Sequence, residues 1–180
     1  MESGDLPARS AVPVYLAVNR RVAVIADCHS NHLALEAVAA DIYALGIFEI
    51  VNLGDNANGP VDPARSVSQL RALTRWHVRG NGDRMTGGAG GESRSARFAR
   101  ERLSEDGIFW LRDLPLLARG EGWCAFHATP AADDDYLLEA VGPTGVSFRA
   151  DGALRERLAG INEGLVLCGQ GSVAGFPAQS

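Results

Sequence analysis

The apolar run Val22-Ala23-Val24-Ile25-Ala26 breaks off abruptly at Asp27-Cys28-His29, and the same event recurs three more times along the chain. Residues 47–53 run into Gly54-Asp55, residues 76–79 into Gly80-Asn81-Gly82-Asp83, and residues 123–126 into His127. The first, a short unbroken apolar run, reads as a strand buried on both faces, and the other three segments also read as short strands. Helical patterns separate the first three, and such alternation predicts parallel β-α-β units. In a parallel sheet the carboxyl ends of the strands share one edge, where ligand sites form. Four remote segments are therefore expected to deliver polar side chains to one place.

The intervening text fits that frame. Ser30 or Asn31 can cap a helix carrying Leu35, Val38, Ile42 and Leu45 at helical spacing. Asp62-Pro63 reads as a cap followed by the first helical residue, ahead of Val67, Leu70 and Leu73. Further helices are expected over residues 94–103 and 150–158, and strands over 146–148 and 165–168. The glycine-rich stretch 87–91 predicts a loop without a phosphate-cradling motif. The acidic run Asp133-Asp134-Asp135, just before Tyr136-Leu137-Leu138, predicts a helix N-terminus. Residues 1–20 are expected to be an N-terminal extension, 21–169 the domain, and 170–180 an irregular tail.

Composition narrows the partners. A chain of 180 residues supports one domain with a sizeable core. A net charge of -5 argues against the nucleic-acid backbone and anionic membranes as partners. All 17 basic residues are arginine, which excludes Schiff-base chemistry and a phosphate-loop lysine. The dispersed Cys28, Cys124 and Cys168 point to reduced, buried thiols and a cytoplasmic protein. The apolar stretch 11–18 is too short to span a bilayer, and Arg20 and Arg21 follow it, the wrong order for a signal peptide. A homo-oligomer is compatible with all of this.

Two Asp, two His and one Asn form a ligand set without thiolate, suited to manganese, iron or zinc rather than to a structural zinc centre. The ordered motifs Asp27-x-His29, Gly54-Asp55, Gly80-Asn81-Gly82-Asp83, His127 and Gly169-Gln170-Gly171-Ser172 resemble those of the calcineurin-like metallophosphoesterases. The stretch 27–35 and His127-Ala128-Thr129-Pro130 are similar to the small bacterial phosphodiesterase-like branch. The resemblance implies an α/β fold, a two-sheet β-sandwich flanked by helices in four αββα layers, with the C-terminal strands truncated. It implies two divalent metal ions, manganese foremost with iron, zinc or nickel as alternatives. Asp27 and His29 would hold one, Asn81 and His127 the other, and Asp55 would bridge them. The substrate would be a small phosphate ester, hydrolysed through a hydroxide shared by the metals, with Asp55 and Asn81 catalytic and Asn81 and Arg84 touching the phosphate.

Two departures from the family pattern bear on activity. The histidine expected after Asn81, which assists the leaving oxygen, is Gly82. Such assistance is worth about 10²–10⁴-fold in rate. Both histidines of the final Gly-His-x-His are replaced, by Gln170 and Ser172, whose neutral oxygens are weaker ligands. The second reading is accordingly a phosphoesterase-like domain that has lost catalysis and acts by binding.

Taken singly, each residue has a plainer explanation. Asp55 after glycine suits a turn, Asn81 beside glycine a left-handed turn, and His127 a hydrogen-bonded core position. Cys28 reads as a buried thiol, His32 as a first-turn helical residue, His77 as a strand residue and Arg84 as equally suited to solvent. A nucleotide-binding switch domain would explain the strand–helix rhythm, but no glycine fingerprint supports it. Recurrence at successive strand ends is what the plain explanations leave unexplained.

Overall fold

Three parallel strands, β1 (Val22–Ile25), β2 (Glu49–Asn52) and β3 (Trp76–His77), lie side by side in that order. Val24 pairs with Val51, and Val51 with Trp76, so the three carboxyl ends finish level with one another. The computed structural model describes residues 21–91, 93–143 and 145–170. The expected extension 1–20, Ser172 and the tail from 171 onward lie outside the described residues.

Helix α1 (His32–Ala44) starts at Asn31, whose side chain accepts the Ala34 N–H at 3.1 Å. Its buried stripe is His32, Leu35, Ala39 and Ile42. That corrects the expected face, since Val38 and Leu45 are 44% and 53% exposed. The 3-4-3 spacing makes one coherent ridge, into which small Ala39 fits and from which Val38 turns away. Helix α2 (Pro63–Leu73) begins as expected, with Asp62 accepting the Arg65 N–H at 3.0 Å and Pro63 in the first turn. Strand β3 is shorter than expected because its backbone changes partner: the Val78 N–H still bonds Asn52 O, whereas the Arg79 N–H donates to Pro115 O at 2.7 Å.

Three helices follow, α3 (Asn81–Thr86), α4 (Arg94–Arg100) and α5 (Glu105–Asp113). Leu111 and Leu114 at the end of α5 join Val67 of α2 and Ala57 in a buried cluster. The second sheet contains β4 (Leu117–Gly120), β5 (Trp123–Phe126) and β8 (Leu165–Cys168), with β5 central, antiparallel to β4 and parallel to β8. The alternation of β5 defines the layers. Trp123 and Ala125 meet Val51, Leu53 and Val78 of the first sheet. Cys124 and Phe126 point the other way, toward Leu154 of α6 (Asp151–Arg157), Leu158 and Ile161. The two sheets thus pack face to face with helices outside, the expected α/β sandwich. A separate hairpin, β6 (Glu139–Gly142) and β7 (Gly145–Phe148), precedes α6.

The acidic run does not start a helix, which corrects the sequence expectation. Residues 133–138 are irregular, and Asp133, 4% exposed, is held by the guanidinium nitrogens of Arg79 at 3.0 Å and Arg84 at 2.9 Å. Two ion pairs outweigh the modest gain of a helix N-terminus for a carboxylate that is removed from solvent.

Candidate metal centre

The loops leaving β1 and β2 are stitched together backbone to backbone. Asp27 N–H donates to Gly54 O at 3.0 Å, His29 N–H to Asp55 O at 2.9 Å, and Ser30 N–H to Asn56 O at 2.9 Å. Ser30 adds a hydroxyl bond to Ala57 O at 2.6 Å. This stitching holds Asp27, His29, Ser30 and Asp55 at positive φ, between 44° and 65°. Each such non-glycine residue costs on the order of 1–3 kcal/mol, and such strain concentrates at functional sites. Asn81 is not among them: it is the first residue of α3, and the left-handed position belongs instead to Gly54, at φ 96°.

Two glycines let the second and third strand-end loops touch. A Cβ at Gly54 would lie 2.5 Å from Gly80 N, and one at Gly80 would lie 2.5 Å from Asp55 N and overlap Asp55 Oδ1. Any side chain at either position would drive the loops apart.

Asp27, His29 and Asp55 present ligand atoms that all lie within 4.8 Å of one another. His29 Nδ1–H donates to Asn58 O at 2.8 Å, and His127 Nδ1–H to Leu53 O at 2.7 Å. Because carbonyls only accept, these bonds put a proton on each Nδ1 and turn each Nε2 toward the carboxylates as the nitrogen available to a metal, an arrangement typical of metal-ligating histidines. Asp55 lies between the two rings. Its Oδ2 is 3.6 Å from His29 Nε2, and its Oδ1 is 3.9 Å from His127 Nε2. Asp27 Oδ1 is 3.8 Å from His29 Nε2. Among the described residues, His127 Nε2 and Asn81 Oδ1 are two of six buried side-chain atoms without a hydrogen-bond partner. An orphaned buried acceptor costs about 1–3 kcal/mol, and that of His127, facing Asp55, suits a cation. The residues present therefore fit divalent metals in an oxygen and nitrogen environment.

Asp83, to which the sequence reading assigned no role, organises this edge. Its fully buried carboxylate accepts N–H bonds from Gly80 (3.0 Å), Asp55 (2.9 Å) and Asn56 (2.8 Å), and one from Asn56 Nδ2 (2.8 Å). Burial, followed by the negative charge of Asp55, pushes its pKa up to about 7 against the pull of these donors. An acidic residue three positions after the helix cap Gly80 is the signal that could have revealed it. The pKa of Asp27 is raised chiefly by burial, with His127 acting in the opposite direction.

The remaining predicted residues fall into place or elsewhere. Gly169 and Gln170 both donate backbone N–H bonds to His127 O, at 2.8 and 2.6 Å, which brings the altered motif against the site. Arg84, besides its bonds to Asp133, donates from Nη2 to Asp134 at 2.8 Å, so carboxylates occupy it. Cys124 is buried, but Cys28 and Cys168 are only partly so, and all three are free. Burial raises the pKa of Cys28, which disfavours a thiolate. His32 lies in α1 and His77 in β3, as expected. A cleft of about 630 Å³, lined by Arg71, Trp76, His77, Trp110 and Arg119 among others, contains none of the strand-end ligands. No helix among the described residues is long and apolar enough to cross a membrane.

Comparison with known proteins agrees with this geometry. The family model described as calcineurin-like phosphoesterase matches residues 20–156. A metallophosphoesterase from Sphaerobacter thermophilus is 27% identical with a TM-score of 0.57, over 67% of this chain and 52% of that one. The chain thus spans about half the length of that relative. A hypothetical protein from Pyrococcus horikoshii OT3 shares the fold at 17% identity, with a TM-score of 0.63 over 82% of this chain and 68% of that one. No curated protein matches. With the family model covering most of the domain and Asp27, His29 and Asp55 gathered at its strand ends, the chain belongs to the calcineurin-like phosphoesterase family.

Proposed function

We propose that the chain is a dinuclear-metal phosphoesterase acting on phosphodiesters. The observation that carries this reading is the position of Asp55, one carboxylate oxygen toward His29 and the other toward His127, each ring with its Nε2 turned toward that carboxylate. Asp27, His29 and Asp55 would hold one cation; Asp55, Asn81 and His127 would hold the other. Manganese is the first choice for this hard-to-borderline set, with iron, zinc and nickel behind it. Two such ions would supply Lewis-acid activation of a water and of the phosphoryl oxygens.

The protein's own contribution is order. The carbonyls of Asn58 and Leu53 orient the two rings, and Gly82 N–H holds Asp55 Oδ1 at 2.8 Å. Preset ligands need no reorganisation when charge develops on the phosphoryl group. With glycine at 82, no imidazole there protonates the leaving oxygen, which favours substrates with weakly basic leaving groups. Asn81 would contact the phosphate, whereas Arg84 would first have to release its carboxylates. The thiols are free, in keeping with a cytoplasmic setting.

Manganese uptake and hydrolysis of bis-(p-nitrophenyl) phosphate test this reading together. Uptake with turnover is the expected result; a protein that takes up no metal and turns over no ester contradicts it. Gln170 favours a second reading. Its backbone N–H bonds His127 O, by resemblance it stands where the family supplies imidazole, and a domain weakened there would bind a phosphate ligand without cleaving it. Phosphate binding with metal but no turnover would select that alternative.

A further inference from the structure

Position 82 has no side chain, and Asn58 occupies the space beside it. A Cβ at Gly82 would lie 2.8 Å from Asn58 Cβ and 3.0 Å from both Asn58 Nδ2 and Asp55 Oδ1. The Asn58 carboxamide therefore flanks the bridging carboxylate on the side where an imidazole at 82 would have projected. Its backbone is tethered to the site as well, through the bond from His29 Nδ1–H to Asn58 O at 2.8 Å. Residue 58 is partly buried, and its carboxamide has no hydrogen-bond partner among the described residues. A carboxamide carries two N–H donors, and a donor poised beside Asp55 but bonded to nothing is suited to an incoming anion.

We propose that Asn58 is a substrate-contacting residue, its Nδ2–H donating to a non-bridging phosphoryl oxygen of the ester bound at Asp55. This rests on the phosphoesterase reading and deepens it. The amide is neutral and keeps its protons, so it supports charge on the phosphoryl oxygens and gives no proton to the leaving group. The substrate class that follows is phosphodiesters with a weakly basic, aryl-like leaving oxygen, in preference to dialkyl diesters. The pairing also explains why glycine stands at 82: a side chain there and the asparagine cannot both fit.

The test is Asn58→Ala, which removes the carboxamide and keeps the Cβ that packs over Gly82. Manganese stoichiometry, inorganic phosphate binding by calorimetry and kcat/KM for bis-(p-nitrophenyl) phosphate are measured on the full chain with manganese. Manganese stoichiometry should match the unsubstituted protein, while phosphate affinity and kcat/KM each fall about tenfold, the range of one hydrogen bond to a charged group. The isosteric Asn58→Asp, which replaces donors by an anion, should lose more of both. Unchanged phosphate affinity in Asn58→Ala overturns the proposal, as does a loss accompanied by lost manganese, which would mark a structural role. If the unsubstituted protein takes up manganese yet neither binds phosphate nor turns over the ester, the phosphoesterase reading itself fails, and this assignment with it.

Discussion

The buried carboxylate of Asp83 accepts the backbone N–H of Asp55 at 2.9 Å, and so fixes the residue on which both proposed metal positions depend. With the bonds from Gly80 and Asn56, one side chain sets the spacing of the second and third strand-end loops. Asp83→Ala would leave buried N–H groups unpaired, at about 1–3 kcal/mol for each. We expect a loss of at least about 3 kcal/mol in urea unfolding and, in the fraction that folds, manganese affinity 10–100-fold weaker, about what lost outer-shell support costs. Unaltered manganese affinity would show that the loops hold Asp55 without it.

Gly80 is expected to tolerate no substitution. In Gly80→Ala the new methyl overlaps Asp55 Oδ1 and lies 2.5 Å from Asp55 N, so the loops must separate. Overpacking of this kind costs about 1–3 kcal/mol, and manganese stoichiometry should fall with it. Gly88, around which a Cβ meets nothing within 4 Å, sits at φ 97° and provides the control. Gly88→Ala should lose some stability through backbone strain alone and keep its manganese.

Asp133 is the second interior anchor. It bonds Arg79 and Arg84, which are about one quarter exposed, while being 4% exposed itself. Removing one partner of a buried pair costs about 3–5 kcal/mol, and the partial exposure of the arginines places the cost toward the lower end. Asp133→Asn should therefore lower the unfolding free energy by roughly 3 kcal/mol. A change below 0.5 kcal/mol, within the usual range of a surface substitution, would contradict this assignment.

His77 makes stability depend on pH. Its ring lies against Thr74 Oγ1 at 2.9 Å, Asn52 Nδ2 at 3.5 Å and the edge of Trp110, with Arg71, Arg75, Asp106, Asp113 and Arg119 around the same cleft. Burial, reinforced by Arg71, holds its pKa below the ordinary 6.5. The unfolded chain therefore takes up the proton first. Its contribution is complete above pH 6.5 and declines as pH falls below that value toward the depressed folded pKa. Urea midpoints measured between pH 7.5 and 5 should show a smaller decline in His77→Gln than in the unsubstituted protein. Parallel declines would contradict this.

What the sequence revealed depended on how local the cause was. Pro63 behind Asp62, and the bounds of β5 and β8, were legible because caps and apolar runs act through neighbouring residues. The convergence of Asp27, His29 and Asp55 was legible because parallel strands must end on a common edge, whereas His127 reaches Asp55 from β5 of the second sheet. Strand β4 was missed because Leu117-Ala118-Arg119-Gly120 is only half-buried and carries no apolar run. Helix α5 was missed because Gly107 sits in its first turn, where the pattern argues for a loop. The bonds of Asp83 to Asp55 and of Arg84 to Asp133 span 28 and 49 positions, and the one local cue, an acid three residues after Gly80, names neither distant partner. The packing of Asn58 on Gly82 was hidden for the same reason, since only the stitched loops bring them together.

The most direct test is a crystal of the manganese-soaked protein, with anomalous difference density recorded at the manganese edge. Two peaks are expected to flank the Asp55 carboxylate, one toward Asp27 and His29 and the other toward Asn81 and His127. A single peak would contradict the dinuclear reading, and no peak beside Asp55 would contradict the metal centre altogether.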